Sequence, residues 1–263
     1  MKKYAVFMNG DLGLRILDFL LQRDDAQVVC VVINSKKKIS LEFEKKLRAS
    51  IDKNNYSISI WQYNQDLWND EKFINESLNS NFGVSVLFGH IIPDSFLNQT
   101  KLQIANLHPS LLPIGRGADP VAWSIIESRK FGATMHKLTK QLDEGPILAQ
   151  KDIALEINLT SGEAYQLVIE SLYKLFIENF EKWVRGELNP IVQVGNVTEH
   201  KTKDLEELRE QLKRDGSKFE PYLRTINALN YDDDRKAVLK LSDGNLWQIE
   251  ITWTKMNEDR HGD

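Results

Sequence analysis

Two polar residues separated by one position, Asn106 and His108, and a later carboxylate, Asp143, are the side chains of this chain best suited to chemistry. If the segment Asn106-Leu107-His108 ends a β-strand, the amide and the imidazole leave the sheet on one face. Transfer of an acyl group to an amine passes through a tetrahedral oxyanion, which needs donors aimed at the developing charge. The Asn106 amide supplies one donor and a protonated His108 another, while Asp143 would orient the imidazole and favour its charged form. The incoming amine loses a proton and the leaving nitrogen gains one, so His108 or Asp143, directly or through water, is the relay. The amine attacks directly, and no nucleophilic serine or cysteine is required. Taken alone, the three residues carry limited weight. An Asn-x-His at a strand end is more commonly a capping amide beside a surface imidazole, and an Asp before Glu144-Gly145-Pro146 is an ordinary turn residue.

The rest of the chain must position them. With 263 residues and 41% hydrophobic content, it suits one large domain with a small appendage, or two modest domains. The first half alternates: Tyr4–Met8 reads as a buried strand ended by Asn9-Gly10, and Leu12, Ile16, Leu17, Phe19, Leu20 and Leu21 as an apolar helix face. Ala26–Ile33 is a continuous β-branched run, the pattern of a central parallel strand. A charged helical stretch from Ser40 to Lys53, a strand over Ser57–Trp61 and a helix over Asp70–Leu78 follow. Val84–Phe88 and Ile104–His108 read as further strands. This order predicts an α/β fold with an open, mostly parallel twisted sheet and helices on both faces.

Asp119–Arg129 reads as a helix with Pro120 in its first turn and Trp123 in the core. Phe131–Lys137 and Ile147–Ile153 read as strands. A long helix opens at Thr160 and runs to about Gly186, with Leu167, Leu172, Leu175, Phe176 and Phe180 as its buried stripe. Near Gly195 the composition changes, and a division is expected into 1–195 and a small α+β region over 196–263. Residues 199–218 read as a short solvent-facing helix with Leu205, Leu208 and Leu212 as its apolar ridge. Lys236–Leu241 and Leu246–Thr252 read as a hairpin turned around Asp243-Gly244. Residues 257–263 read as frayed.

Other chemistries fit poorly. Net charge is −4, which argues against nucleic acid held mainly by phosphate contacts. No apolar run reaches the roughly 18 residues of a membrane span, and the N-terminal apolar stretch is broken by Asn9, Gly10 and Asp11, against a signal peptide. The single cysteine, Cys30, excludes an internal disulfide and reads as a buried strand residue, so the cytoplasm is the expected location. His90, His136, His200 and His261 lack ligand spacing, and no metal is expected. Asn9-Gly10-Asp11-Leu12-Gly13 matches neither the dinucleotide fingerprint nor the Walker pattern. Asn9 and Gly10 could still lie beside a substrate, since ligands gather at the carboxyl ends of strands.

A longer series of motifs changes the weighing. Phe88-Gly89-His90-Ile91-Ile92-Pro93, Asn106-x-His108-x-Ser110-Leu111-Leu112-Pro113, Arg116-Gly117-Ala118-x-Pro120, Gly132-Ala133-Thr134-Met135-His136 and Leu142-Asp143-x-Gly145-Pro146-Ile147-Leu148-x-Gln150 occur in one order. Over about residues 1–190 this resembles the N10-formyltetrahydrofolate-dependent formyltransferases. The resemblance implies that Asn106, His108 and Asp143 are the catalytic trio and that N10-formyltetrahydrofolate is the donor, without a metal. It implies that Phe88, Gly89, His90, Ile91 and Ile92 line the folate pocket, largely through backbone groups, and that Leu138, Gln141 and Leu142 belong to the loop that closes it. His90 stands where many relatives carry another residue.

The acceptor follows from the tail. Methionyl-tRNA formyltransferases usually carry a longer, basic C-terminal barrel, and glycinamide ribonucleotide transformylases end soon after the core. The short helix and hairpin here resemble the sugar N-formyltransferases, which act on nucleotide-linked amino sugars. That resemblance implies a small-molecule acceptor, dTDP-linked, in surface-polysaccharide synthesis, and a homodimer. Arg116 and Gly117, in the Pro-Gly-rich loop directly after His108, are expected near the acceptor, and residues 219–229 resemble the segment that returns towards the acceptor site, with Tyr222 able to stack on a base and Arg224 and Asn227 able to meet a pyrophosphate or a sugar hydroxyl. A plain helix packing Leu223, Ile226 and Leu229 is the competing reading of that last segment. The alternative to an enzyme, a folate-binding scaffold, has no use for an oxyanion donor.

Overall fold

The computed structural model describes residues 1–35, 39–53, 58–154, 159–215, 217–229, 237–240, 244–249 and 251–252. The apolar run behind the first residues forms β1 (Lys2–Met8), and α1 (Gly10–Leu21) follows across Asn9. Then come β2 (Ala26–Ile33), α2 (Leu41–Lys53), β3 (Ser59–Gln62), a 3-10 turn at Leu67–Asn69, α3 (Glu71–Leu78), β4 (Phe82–Val86), α4 (Asp94–Thr100) and β5 (Gln103–His108). These five strands pair in parallel. β6 (Arg116–Gly117), α5 (Pro120–Ile126), β7 (Phe131–Lys137), β8 (Ile147–Ile153) and α6 (Ser161–Val184) complete the core. Seven strands form one sheet in the order β3-β2-β1-β4-β5-β7-β8, with β7 antiparallel to both β5 and β8. The mostly parallel sheet expected from the sequence is therefore present, closed on one side by an antiparallel pair.

Alternate residues of a strand serve opposite faces. Tyr4, Val6 and Met8 pack with Ile16 and Leu20 of α1 and with Phe176 and Phe180 of α6, whereas Ala5 and Phe7 pack with Phe73 of α3 and Phe96 of α4. Helices thus cover both faces. Leu107 belongs to the first cluster and Ile104 to the second, which assigns Asn106 and His108 to the α3/α4 face. Cys30 is buried in β2 on that face, and burial pushes its thiol up to about 12, which leaves it unreactive at neutral pH.

Thr160 and Glu163 start α6 with a capping box: the Thr160 hydroxyl accepts from the Glu163 N–H at 3.3 Å, and the Glu163 carboxylate accepts from the Thr160 N–H at 2.9 Å. Thr160→Ala is expected to cost about 1 kcal/mol, read from the urea denaturation midpoint. The buried stripe of α6 runs through Ala164, Val168, Leu172, Phe176 and Phe180; Leu167, expected within it, is 45% exposed. Leu167 lies one position, about 100° of helix, off a stripe set by Val168.

Three other expectations are corrected. β4 stops at Val86 rather than Phe88, because Leu87 takes a left-handed φ of 52° and turns the chain off the sheet. α5 stops at Ile126 rather than Arg129, short of Ser128 with φ of 50°. Trp123 is half-buried rather than in the core, its ring stacked on His200 at 3.7 Å.

The chain divides into two compact units, Met1–Thr202 and Lys203–Asp263. The first unit extends beyond residue 195 because β9 (Glu199–His200) pairs in parallel with β6, and the Thr198 hydroxyl and carbonyl accept from the N–H groups of Gly115 and Arg116. The charged segment forms α7 (Thr202–Arg214), with Leu205 buried and Leu208 half-buried. The second unit continues with α8 (Glu220–Leu229) and the antiparallel pair β10 (Ala237–Lys240) and β11 (Leu246–Ile249). The hairpin signal at Ser242-Asp243 and the expected frayed end over 257–263 lie outside the described residues, as does the side chain of Leu212. Among the described residues no helix is long and apolar enough to cross a membrane.

Candidate active site

β5 and β7 pair so that Asn106 faces His136 and His108 faces Thr134. The imidazole of His136 donates from Nδ1 to the Lys137 carbonyl at 3.0 Å, so its Nε2 accepts from the Asn106 amide nitrogen at 2.9 Å. This fixes which end of the amide is which, and leaves the second N–H of Asn106 for another acceptor. Burial, then the neighbouring His108, push the His136 pKa down to about 4, partly offset by Asp143. His136 is neutral at physiological pH. A folded-state pKa below the ordinary 6.5 means the unfolded chain binds the proton more tightly. The stabilisation is therefore complete above pH 6.5 and is lost as pH falls towards 4. Urea denaturation of the wild type and His136→Gln across that window is expected to show a shallower acid-side slope in the variant; equal slopes would exclude this role.

His108 is buried, and its Nε2–H donates to the Gly115 carbonyl at 2.7 Å. Its Nδ1 lies 3.6 Å from Oδ2 of Asp143. Asp143 is also buried; its Oδ2 accepts from the Gly117 N–H at 2.9 Å, and its Oδ1 lies 3.7 Å from His136 Nε2. The loop between β5 and β6, which includes a cis Leu112-Pro113 bond, is held from β7 and β8. The Thr134 hydroxyl donates to the Ser110 carbonyl at 2.6 Å, and the Gln150 amide to the Leu112 carbonyl at 2.7 Å.

Two cavities meet at the trio. One of about 130 Å³ is walled by Phe88, His90, Ile91 and Ile92 on one side and Leu138, Gln141 and Leu142 on the other. The second, of about 640 Å³, runs past Gly89, His108, Gly117 and Asp119 to His200 and Lys201. Asn106 and Asp143 line both. Every residue expected at the folate pocket borders one of these cavities. His90 stacks on Tyr63 at 3.6 Å, and the Gly89 N–H donates to Asn34 Oδ1 at 3.1 Å, so the pocket wall is tied to the residues that directly follow β3 and β2.

Within the first unit the expected acceptor residues line different places. Gly117 borders the larger cavity, and at φ of 80° its position leaves no room for a Cβ, which would lie 2.3 Å from the His200 carbonyl oxygen. Arg116 is buried and lines neither cavity; its guanidinium binds Glu144 at 2.8 Å and Gln193 at 2.9 Å. Asn9 and Gly10 border a different cavity, with Ser40 and Lys46. Tyr222 and Arg224 lie exposed on α8, where Arg224 pairs with Glu220 of its own helix, and the Asn227 side chain is outside the described residues. His136, which bonds the Asn106 amide, was not among the expected site residues; in the sequence only its place in the Gly132-Ala133-Thr134-Met135-His136 motif pointed to it. Among the described residues no group of three or more His, Cys, Asp or Glu side chains could hold a metal ion.

A parallel sheet with an antiparallel flank, and an Asn-His-Asp centre between two cavities, define a group-transfer fold of one kind. Residues 2–179 match the family described as formyl transferase, and the chain belongs to that family. The dTDP-4-amino-4,6-dideoxyglucose formyltransferase of Mycobacterium bovis is 32% identical over 136 residues, covering 52% of this chain and 58% of that protein. The methionyl-tRNA formyltransferase of Thermodesulfovibrio yellowstonii is 34% identical over 190 residues, covering 71% of this chain and 56% of that protein. The chain thus aligns with little more than half the length of these curated relatives. A sugar N-formyltransferase from a Shewanella species shares the fold over 98% of this chain and 100% of its own, with a TM-score of 0.65 at 18% identity. An Anoxybacillus kamchatkensis formyltransferase, solved with UDP-4,6-dideoxy-4-formamido-L-AltNAc and tetrahydrofolate, is 27% identical with a TM-score of 0.52, covering 68% of this chain and 88% of its own.

Proposed function

We propose that this protein transfers a formyl group from N10-formyltetrahydrofolate to the primary amine of a nucleotide-linked amino sugar, with a dTDP sugar as the preferred acceptor. The observation that carries this reading is the meeting of a small and a large cavity at Asn106 and Asp143. The small cavity, behind the Leu138–Leu142 loop, takes the donor's ring system, and the large one takes the acceptor. The dTDP-sugar formyltransferase relative and the structure holding both a nucleotide-linked formamido sugar and tetrahydrofolate support the pairing of ligands.

In this scheme the amine nitrogen attacks the formyl carbon, and a C–N bond forms as the carbonyl electron pair moves to oxygen. The second N–H of Asn106 and a protonated Nδ1 of His108 hold that oxyanion. Asp143 accepts the proton of the attacking amine and returns it to N10 as collapse of the tetrahedral intermediate breaks the bond between the formyl carbon and N10. The site works in the cytoplasm for surface-polysaccharide synthesis, and the protein acts as a homodimer. Incubation with formyl donor and a panel of dTDP-, UDP- and GDP-amino sugars is expected to give tetrahydrofolate and a product heavier by one CO. The similarity to a methionyl-tRNA formyltransferase favours methionyl-tRNA as the alternative acceptor, which the net charge of −4 opposes. Formylation of that tRNA without any sugar product would overturn the proposal.

A further inference from the structure

Asp143 adopts a left-handed φ of 53°, uncommon for an L residue though better tolerated by Asp than by most. Two side chains from outside the turn, Gln193 and Arg116, hold it in place. The amide nitrogen of Gln193 donates to the Asp143 carbonyl at 2.7 Å and to the Gly145 carbonyl at 2.8 Å, spanning the turn. Its amide oxygen accepts from Arg116 Nη2 at 2.9 Å, and Arg116 Nη1 reaches Glu144 Oε1, within the same turn, at 2.8 Å. A planar amide presents two donors and an acceptor together, which neither a carboxylate nor an ammonium does. Gln193 is itself anchored, because Ile191 exchanges two N–H···O bonds of 2.8 Å with Ile147 of β8. Residue 193 lies beyond the region, 2–179, matched by the formyl transferase family.

We infer that Gln193, oriented by Arg116, is a positioning residue that holds the Asp143 carboxylate against His108 and the Gly117 N–H. This rests on the formyl-transfer reading of the site. Rotation of the Asp143 backbone out of its left-handed well would swing the carboxylate away from both partners while leaving the two cavities formed.

Two variants separate the contacts. Gln193→Met keeps the length and removes every hydrogen bond; Gln193→Glu keeps an acceptor for Arg116 but removes both donors. Both are expected to lower kcat about 100-fold, with KM for donor and acceptor changed less than about threefold. In protein labelled with [15N]glycine, the Gly117 amide resonance is expected to shift in both variants, while Gly13 in α1 and Gly162 in α6 stay in place. A Gln193→Glu enzyme with the kcat of the wild type would overturn the inference, as would an unmoved Gly117 resonance. Displacement of all glycine resonances in both variants would make Gln193 a folding residue and would also overturn it. If the wild type formylates no amine, the reading of the reaction fails, whereas the Gly117 resonance still decides whether Gln193 positions Asp143.

Discussion

Asn106→Ala is expected to lower kcat by about 1,000-fold, with the donor KM changed far less. Asn106 borders both cavities, and the bare Nε2 of His136 fixes the orientation of its amide, so its remaining N–H is preorganised for charge that appears only during transfer. Alanine removes that donor without disturbing the apolar packing of Leu107 or Ala105 on the opposite face. Asn106→Asp is expected to be at least as damaging, because it sets an anion where the oxyanion forms. Single-turnover measurement with saturating donor checks both. A rate within about tenfold of the wild type for Asn106→Ala would refute the oxyanion role, and a near-normal His108→Ala would do the same for the imidazole.

Gly145→Ala is expected to lose about 3 kcal/mol or more of stability and most of the activity. A Cβ at residue 145 would lie 1.6 Å from the Lys137 carbonyl oxygen and 2.7 Å from its carbon, and both are backbone atoms. The Lys137 N–H in turn donates to the Pro146 carbonyl at 2.9 Å, so neither strand can yield alone. Opening the turn would also pull Asp143 and the Gly145 carbonyl off Gln193. Urea denaturation and folate binding of the purified variant test this; an unchanged denaturation midpoint would show that the turn relaxes freely.

How legible the molecule was depends on the range of the interactions involved. β1, β2, β5, β7 and β8 announce themselves because strands buried on one or both faces are apolar in a local pattern, and the Asn106/His108 spacing follows from strand geometry. The partner of Asn106 does not, since the pairing with His136 depends on the register of an antiparallel strand 30 residues away. Arg116 looked like a substrate ligand because an arginine in a Gly-rich loop commonly is one. Its partners, Glu144 and Gln193, stand 28 and 77 positions away, and nothing in residues 113–120 signals them. The early ends of β4 and α5 come from left-handed Leu87 and Ser128, positions without the glycine that normally marks such a turn. Leu167 was misplaced by one position because a three-residue apolar ridge and a four-residue one overlap in the sequence of α6.

After α6 the chain returns along the outside of the sheet: Ile191 bonds to β8, Gln193 reaches the turn at Asp143, Thr198 holds Gly115 and Arg116, and β9 lies beside β6. During synthesis all three candidate catalytic side chains therefore emerge well before the strap that fastens the loops carrying two of their contacts. A nascent chain, or a chimera joined at residue 179, would possess the reacting groups and lack the strap. The family match ends at residue 179, whereas the contacts that fasten the turn at Asp143 and the strand at Gly117 come from Gln193 and His200, so exchanging modules at that boundary would separate the three side chains from the contacts that fasten their loops.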